Sequence, residues 1–447
     1  MRKALQQMAL MDSLLTNWDV IRLRMGPISA ALAAQLNELG QRLKDARSIG
    51  DVARAVDDLL DLTRDTAAGA YVRELVARAS LGDISATRGP GTFQAVNPDL
   101  EAMIETPLRA QESSDSLGTV LENSSALPIG VEQVPIFFGT NRRPSGPSAT
   151  AFSGDRGNAT SYGLAAVTIP VGIHEIGKLE TPAWWKIFAD KKDQQCYFTL
   201  AGVESLKQME FAAKLEAALQ AAEGKELLVF LHGFNVTFEE AAVRAAQFAK
   251  DSKFRGIVLL FSWPSQGAIL GYSGDEDRAL SSGDRLAAFL KGLEHGPWKR
   301  VHLLAHSMGS RVMLAGLADN PRSALPLGQL VFAAADVYVP FFEEKFPKLQ
   351  NAGKLSATSY ASKKDRALLL SSLLHRGSRV GIVEDIPYVT EGLESIDASA
   401  VDEGILGHGY WSGQRPLITD LRTLLNEGFG AGRRGLDQIG KYWAFPK

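Results

Sequence analysis

The chain has 447 residues, 45% of them hydrophobic and 22% charged, with a formal net charge of -3 and a single cysteine. The length corresponds to roughly three domain-sized units, or to one large domain with an appended module, and the composition is that of a soluble globular protein. The charge balance gives no basic surplus for nucleic acid or an anionic membrane, and one cysteine, Cys196, excludes an internal disulfide and a cysteine-built zinc site.

The N-terminus, Met1 to Met8, has the positive start of a signal peptide but no continuous apolar core, because Gln6, Gln7, Asp12, Asn17 and Asp19 interrupt it. No stretch approaches the ~20 apolar residues of a transmembrane segment. The expected compartment is the cytoplasm; a chain already relieved of a leader would read the same way. Residues 1–80 carry heptad-like apolar spacing with few strand formers, as in Leu32, Leu36, Leu39 and Leu43, then Val56, Leu59 and Leu60, then Val72, Leu75 and Val76. Pro27 and Gly50 punctuate the run, which predicts three or four helices in an antiparallel bundle or hairpin pair, an all-α module. Residues 81–132 turn to Gly, Pro, Ser, Thr and Asn, as in Thr87–Gly91 and Glu112–Ser116. They offer little apolar surface to offset the entropy of ordering, so they read as a linker or extended segment.

Residues 133–425 read as a second domain, and residues 426–447, with Gly428, Gly430, Gly432 and Gly435, as a tail of poorly ordered or docked peptide. The domain opens on three strand-like stretches, Val134–Gly139, Gly163–Pro170 and Cys196–Leu200, expected to be antiparallel. Helix and strand then alternate: helix 203–222, strand 226–231, helix 237–250, strand 256–262, helix 278–294, strand 301–305 and helix 308–319. The pattern continues with strand 329–334, helix 339–351, strand 355–360, helix 365–375 and strand 379–384. Such a succession predicts an α/β fold, a mostly parallel sheet with right-handed crossovers and helices on both faces.

Within it, the apolar run Val301–Ala305 leads through His306-Ser307-Met308-Gly309 into an amphipathic helix. Small residue, x, Ser, x, Gly between a strand and a helix is the nucleophile elbow of alpha/beta-hydrolases, here with Ala305 in place of the first glycine. The flanking residues are small because the strained turn brings strand and helix backbones close together. Ser307 is therefore the candidate nucleophile. A serine hydroxyl is weakly nucleophilic at neutral pH and needs a base, itself oriented by an acid.

In that fold the order along the chain is Ser, acid, His, and only His375 and His408 follow Ser307. His375 ends a predicted helix, where it would interact with the terminal carbonyls, whereas His408 lies between Gly407 and Gly409 in a loop and is the preferred base. The preferred acid is Asp365, which follows the strand ending at Tyr360 and could equally be a helix cap; Asp336 after the preceding strand is the alternative. Asp397 and Asp402 lie nearer His408 in sequence but read as solvated carboxylates. A second motif, Leu228–Asn235, runs a buried strand into His232-Gly233-Phe234. The loop after that strand supplies one oxyanion donor and the residue after the nucleophile the other, which assigns the amides of Phe234 and Met308. Gly233 lets the loop turn toward the oxyanion, and His232 is expected to brace it. His232, Gly233, Trp263 and Tyr410 are candidate substrate contacts, with Tyr272 a further aromatic of the pocket; His174 and Trp184-Trp185 read equally well as structural.

These motifs, with Val134–Arg142, Tyr162-Gly163, Val167–Pro170, Phe261–Ser265, Tyr360–Asp365 and Gly407–Tyr410, resemble a bacterial alpha/beta-hydrolase family of unknown function in the esterase/lipase superfamily. The resemblance spans residues 130–425 and implies Ser307, Asp365 and His408 as a catalytic triad. The expected activity is hydrolysis of small-molecule carboxylic esters through an acyl-enzyme, with no metal and no cofactor. Thioester, amide and polyester hydrolysis stay open within that class, and a non-catalytic binding or scaffold protein on the same fold is the reading from another class. The N-terminal helices must bury their apolar stripe on one another, as a lid over the Ser307 pocket, or in a homo-oligomer contact.

Overall fold

In the computed structural model, the residues described are 10, 14, 18, 21, 25, 30–45, 49–63, 68, 72, 127, 130–145, 151–177, 197–266, 272–318, 324–350, 356–365, 368, 369, 371, 372, 377–401 and 414–446. The chain divides into two units, Met1–Asn123 with Pro182–Lys191 and Ser124–Thr181 with Lys192–Lys447. In the first, helices α1 (Ala30–Asp45) and α2 (Ile49–Leu62) pack together, as the leucine spacing predicts. Leu36, Leu39, Leu43, Val56 and Leu59 are buried, and Arg42 pairs with Asp58 at 2.7 Å on the exposed side. Gly40 lies against the Trp18 ring, where a β-carbon would come within 2.8 Å of it.

The second unit is built on one sheet. It opens with β1 (Glu132–Ser145), β2 (Ala151–Ile169) and β3 (Thr199–Leu206), followed by α3 (Gln208–Ala221), β4 (Glu226–Leu231), α4 (Phe238–Ser252) and β5 (Ile257–Ser262). Then come α5 (Tyr272–Ser281), α6 (Gly283–Lys291), β6 (Arg300–His306), α7 (Gly309–Ala318), β7 (Leu327–Ala333), α8 (Val339–Gln350) and β8 (Ser356–Ala361). The last elements are β9 (Leu393–Asp397), α9 (Arg415–Glu427), β10 (Asp437–Ile439) and β11 (Tyr442–Ala444). Among the described residues the sheet has 11 strands in the order β10-β11-β9-β8-β7-β6-β4-β5-β1-β2-β3. β4 to β9 run parallel, and apolar runs such as Leu227–Leu231 of β4 are buried on both faces as covered parallel strands require. β1 pairs parallel with β5 and antiparallel with β2, and β3 continues antiparallel. This is the alpha/beta-hydrolase arrangement. No helix of the described residues is long and apolar enough to cross a membrane.

Local chemistry explains most boundaries. α4 starts in a reciprocal capping box, in which the Glu240 amide donates to Thr237 Oγ1 at 3.2 Å and the Thr237 amide to Glu240 Oε2 at 2.8 Å. α9 has Pro416 in its first turn and Gly428 as a left-handed cap at φ 65°. Several sequence expectations are corrected. The helix expected at 203–222 begins only at Gln208, because residues 199–206 pair with β2 as an edge strand. The helix expected at 278–294 is two helices that break at Ser282, where a β-carbon on Gly283 would sit 2.6 Å from the Ala315 methyl of α7. Residues 379–384 make only isolated bridges; the strand that extends the sheet is β9, and α9 follows it. Residues after 426 dock: β10 and β11 join the sheet beside β9, and the buried Arg434 holds Asp420 at 2.8 Å and Glu394 at 2.5 Å.

Candidate active site

The β4 and β6 strands are neighbours in register, Leu231 opposite Ala305, so the loops that follow them leave the sheet side by side. β4 lies between β5 and β6, and the strand order therefore reverses at this point, where open α/β sheets bind ligands at their carboxyl ends. Ser307 turns the chain from β6 into α7 with φ 52°, a left-handed conformation that costs an L-residue about 1–2 kcal/mol. The Ser307 amide donates to Ala333 O at 2.9 Å, and its carbonyl accepts from the Asp336 amide at 3.2 Å and the Ser310 amide at 3.0 Å. Neighbouring strand ends thus hold the strain in place.

The two glycines have steric causes. A β-carbon on Gly309 would lie 2.5 Å from His232 O, so only glycine lets the start of α7 rest on the end of β4. One on Gly233 would lie 2.8 Å from His306 Nδ1 and 3.0 Å from Ser307 Cβ. The loop after β4 therefore passes directly beside the serine. Asn235 in that loop is also left-handed, at φ 57°. Among the described residues neither the Phe234 nor the Met308 amide donates to a protein acceptor. Phe234 follows Gly233, which passes beside Ser307, and Met308 stands at the positive end of α7.

His232 is buried and stacks on Trp263 with ring centroids 5.1 Å apart at 10°. Its Nδ1 lies 2.8 Å from Gly233 O, which can only accept, so Nδ1 carries the proton. Nε2 then accepts from Ser262 Oγ at 3.1 Å and Arg142 Nη2 at 3.3 Å. Burial first, and the Arg142 charge second, depress its pKa to about 3, so it is a neutral brace. Trp263 is likewise wholly buried, its Nε1 donating to His232 O at 2.8 Å. The structure thus puts both rings behind the loop.

Asp336, the alternative acid, has its carboxylate fully engaged. It accepts from the Tyr272 hydroxyl and from Ser371 Oγ at 2.8 Å, and it faces Arg379 Nε at 3.4 Å and Arg311 Nη2 at 3.5 Å. Burial pushes its pKa up, but Arg311 and Arg379, followed by the two hydroxyls, outweigh that and leave it below the ordinary carboxylate range. Tyr272 also packs edge-on against Phe234, 5.2 Å between centroids, which ties this cluster to the loop after β4. Asp365, just beyond β8, is fully buried and its Oδ1 accepts from the Leu368 amide at 3.0 Å. It is a helix-capping carboxylate at the same sheet edge as Ser307.

His375, Asp402, His408 and Tyr410 lie outside the described residues, as do Trp184, Trp185 and Cys196. Asp397 is on β9, opposite Ala361 and Ala444, and accepts from the Ser399 amide at 2.8 Å. His174 pairs with Asp251 at 2.6 Å beyond the end of β2. Sequence reasoning assigned no role to Arg142, whose partners other than Ser153 are 90 to 123 residues away along the chain.

Residues 207–427 match the model of a family described as alpha/beta hydrolase of unknown function (DUF900). Over these residues the chain is similar to members of that family. The match covers β4, β6 and the loops beyond them, and it begins after β1 to β3. A solved structure of the LpqC poly(3-hydroxybutyrate) depolymerase from Bordetella parapertussis is similar over 47% of this chain and 83% of that chain, at 16% identity and a TM-score of 0.28. No curated protein matches the sequence.

Proposed function

We propose that the protein is a serine hydrolase that cleaves carboxylic esters through an acyl-enzyme. The observation that carries this is the strained turn at Ser307, φ 52°, with the Gly233 backbone against its β-carbon. Strain of this kind persists where the surroundings over-determine it, as they do at functional sites. Ser307 Oγ attacks the ester carbonyl and gives its proton to the imidazole of His408, assigned from the order of the chain. The carbonyl oxygen becomes an oxyanion held by the Phe234 and Met308 amides. Collapse breaks the bond to the alcohol, which leaves with the proton from His408. Water, deprotonated by His408, then attacks the acyl-serine, and the second collapse releases the carboxylic acid and restores Ser307. Asp365 is assigned to orient the imidazole; the saturation of Asp336 by its own partners supports that choice.

A fluorophosphonate probe followed by peptide mapping tests the proposal. One modified residue, Ser307, with parallel loss of p-nitrophenyl ester hydrolysis, is the expected result. Folded protein that takes up no label overturns it.

A further inference from the structure

Arg142 ends the regular part of β1 and is 1% exposed. Every one of its N–H groups has a direction. Nε donates to Ser262 Oγ at 2.8 Å, Nη1 to Ser265 O at 2.9 Å and Ser153 O at 3.4 Å, and Nη2 to Val236 O at 2.6 Å and His232 Nε2 at 3.3 Å. All of these acceptors are neutral. The carboxylates that act on it, Asp275 and Glu240, do so through space, and Asp275 is engaged instead by Ser265 Oγ at 2.7 Å and the Gln266 amide at 3.1 Å. An interior cation without a contacting carboxylate is expensive, and a protein concerned only with packing would fill the space with an apolar side chain. Burial lowers its pKa to about 9, which leaves it charged at neutral pH.

The direction of the bonds shows what that charge holds. Val236 O and His232 Nε2 bracket the loop Gly233–Asn235 on both sides. Ser262 and Ser265 flank Trp263, whose Nε1 fixes His232 O, and Ser265 Oγ receives the Val236 amide at 3.2 Å. One guanidinium thus gathers the carboxyl ends of β1, β4 and β5 around the loop that lies against Ser307. Lysine cannot do this, because an ammonium offers three donors on one atom and no planar fork. The hydroxyl of Thr140 adds to the same strand end by donating to Ser262 O at 2.6 Å.

We infer that Arg142 is a positioning residue for the reaction at Ser307: it sets the backbone of Gly233–Asn235 so that the Phe234 amide meets the oxyanion, and it places a buried positive charge behind that loop. The inference rests on the serine-hydrolase reading. A misdirected amide weakens the transition state more than the ground state, so the loss belongs in kcat.

The test compares wild type, Arg142→Met, Arg142→Lys and Arg143→Ala in p-nitrophenyl ester hydrolysis and in inhibition by a trifluoromethyl ketone, which forms a tetrahedral adduct with a serine. Arg143 is the control because its side chain is exposed and, among the described residues, pairs with Asp155 at the surface. The loss expected for Arg142→Met is about 10²-fold in kcat, the scale of a lost oxyanion donor, with KM nearly unchanged and ketone affinity falling in step with kcat. Arg142→Lys is expected between this and wild type, and Arg143→Ala at wild type. Folded Arg142→Met with wild-type kcat and ketone affinity overturns the inference. If Arg142→Met does not fold, Arg142→Lys decides: a lowered melting temperature with wild-type kcat makes the arginine a matter of stability alone and also overturns it. Wild-type protein that neither turns over ester nor labels at Ser307 is a failure of the hydrolase reading instead.

Discussion

The two ends of the same parallel strands are built differently. At the carboxyl end three non-glycine residues, Asn235, Ser307 and Ala334, are left-handed, at φ 57°, 52° and 49°, just after β4, β6 and β7. The fourth such residue among those described, Lys253, merely caps α4. At the amino end, charged side chains meet in ordinary conformations: Glu226 holds Arg300 at 2.7 Å and His302 at 3.0 Å, and His302 Nδ1 accepts from the Gln329 amide at 2.9 Å. That end also carries a cavity of about 380 Å³ lined by Gln329, Ser356, Thr358, Glu394 and Phe429. It lies at the strand ends opposite Ser307. Backbone strain and a buried cation with neutral acceptors set the carboxyl end apart.

The largest effect that could break this contrast is in catalysis. Ser307→Ala is expected to lose about 10⁴ to 10⁶ in kcat, while Glu226→Gln keeps wild-type turnover although it removes the partner of Arg300 and His302. Steady-state ester hydrolysis decides; comparable losses at the two ends would erase the distinction.

The next effect separates the two aspartates of the carboxyl end. Asp336→Asn leaves Arg311 and Arg379 facing a neutral group in a closed interior, for which about 3–5 kcal/mol of stability loss is expected in urea unfolding. Asp365→Asn is expected to spare more stability and to lower kcat more. The reverse order would move the acid of the triad to the loop after β7.

pH distinguishes the ends by window. His232 has its pKa depressed to about 3, so the unfolded chain binds its proton first, and the stability it contributes is present above the unfolded value of 6.5 and is lost as pH falls toward 3. The slope is about 1.4 kcal/mol per pH unit inside that window, and His232→Gln removes it. Glu226 is also depressed; burial raises it, but hydrogen bonds from His302 and Arg300 prevail, so its contribution is lost only as pH falls through and below the ordinary carboxylate range. Thermal melts across pH 3–7 read both windows, and an unchanged slope in His232→Gln would mean that His232 is protonated in the fold.

The smallest effect concerns the strain itself. Ser307→Gly is expected to be more stable than Ser307→Ala by about 1 kcal/mol, because glycine adopts a positive φ without a β-carbon penalty. Equal stabilities would show that the turn is not strained.

What could be read from the sequence was what neighbours in the chain decide. The apolar runs of β4 to β7 declared a parallel sheet because strands covered on both faces have no polar alternation. Ala305, Ser307 and Gly309 declared the elbow because close backbones admit only small flanking residues. α9 was also locally legible, with Pro416 at its start, Gly428 at its end and Leu417, Leu421 and Leu424 on one face, and the alternation of strand and helix was simply not carried that far. Other features had no local signal. β9 to β11 are three to five residues long, with sequences such as Asp437-Gln438-Ile439, and become strands only because an existing edge offers them hydrogen bonds. Asp336 and Asp365 are indistinguishable as carboxylates after strands; Tyr272, Ser371, Arg311 and Arg379 separate them, and these converge only in space. Arg142 is the extreme case, since Val236, Ser262 and Ser265 lie about a hundred residues on, and nothing but the folded sheet brings a loop carbonyl to its guanidinium. Local sterics wrote the strained turn at Ser307 into the sequence, whereas burial and long-range hydrogen bonding, which depend on the whole chain having folded, decided what supports it.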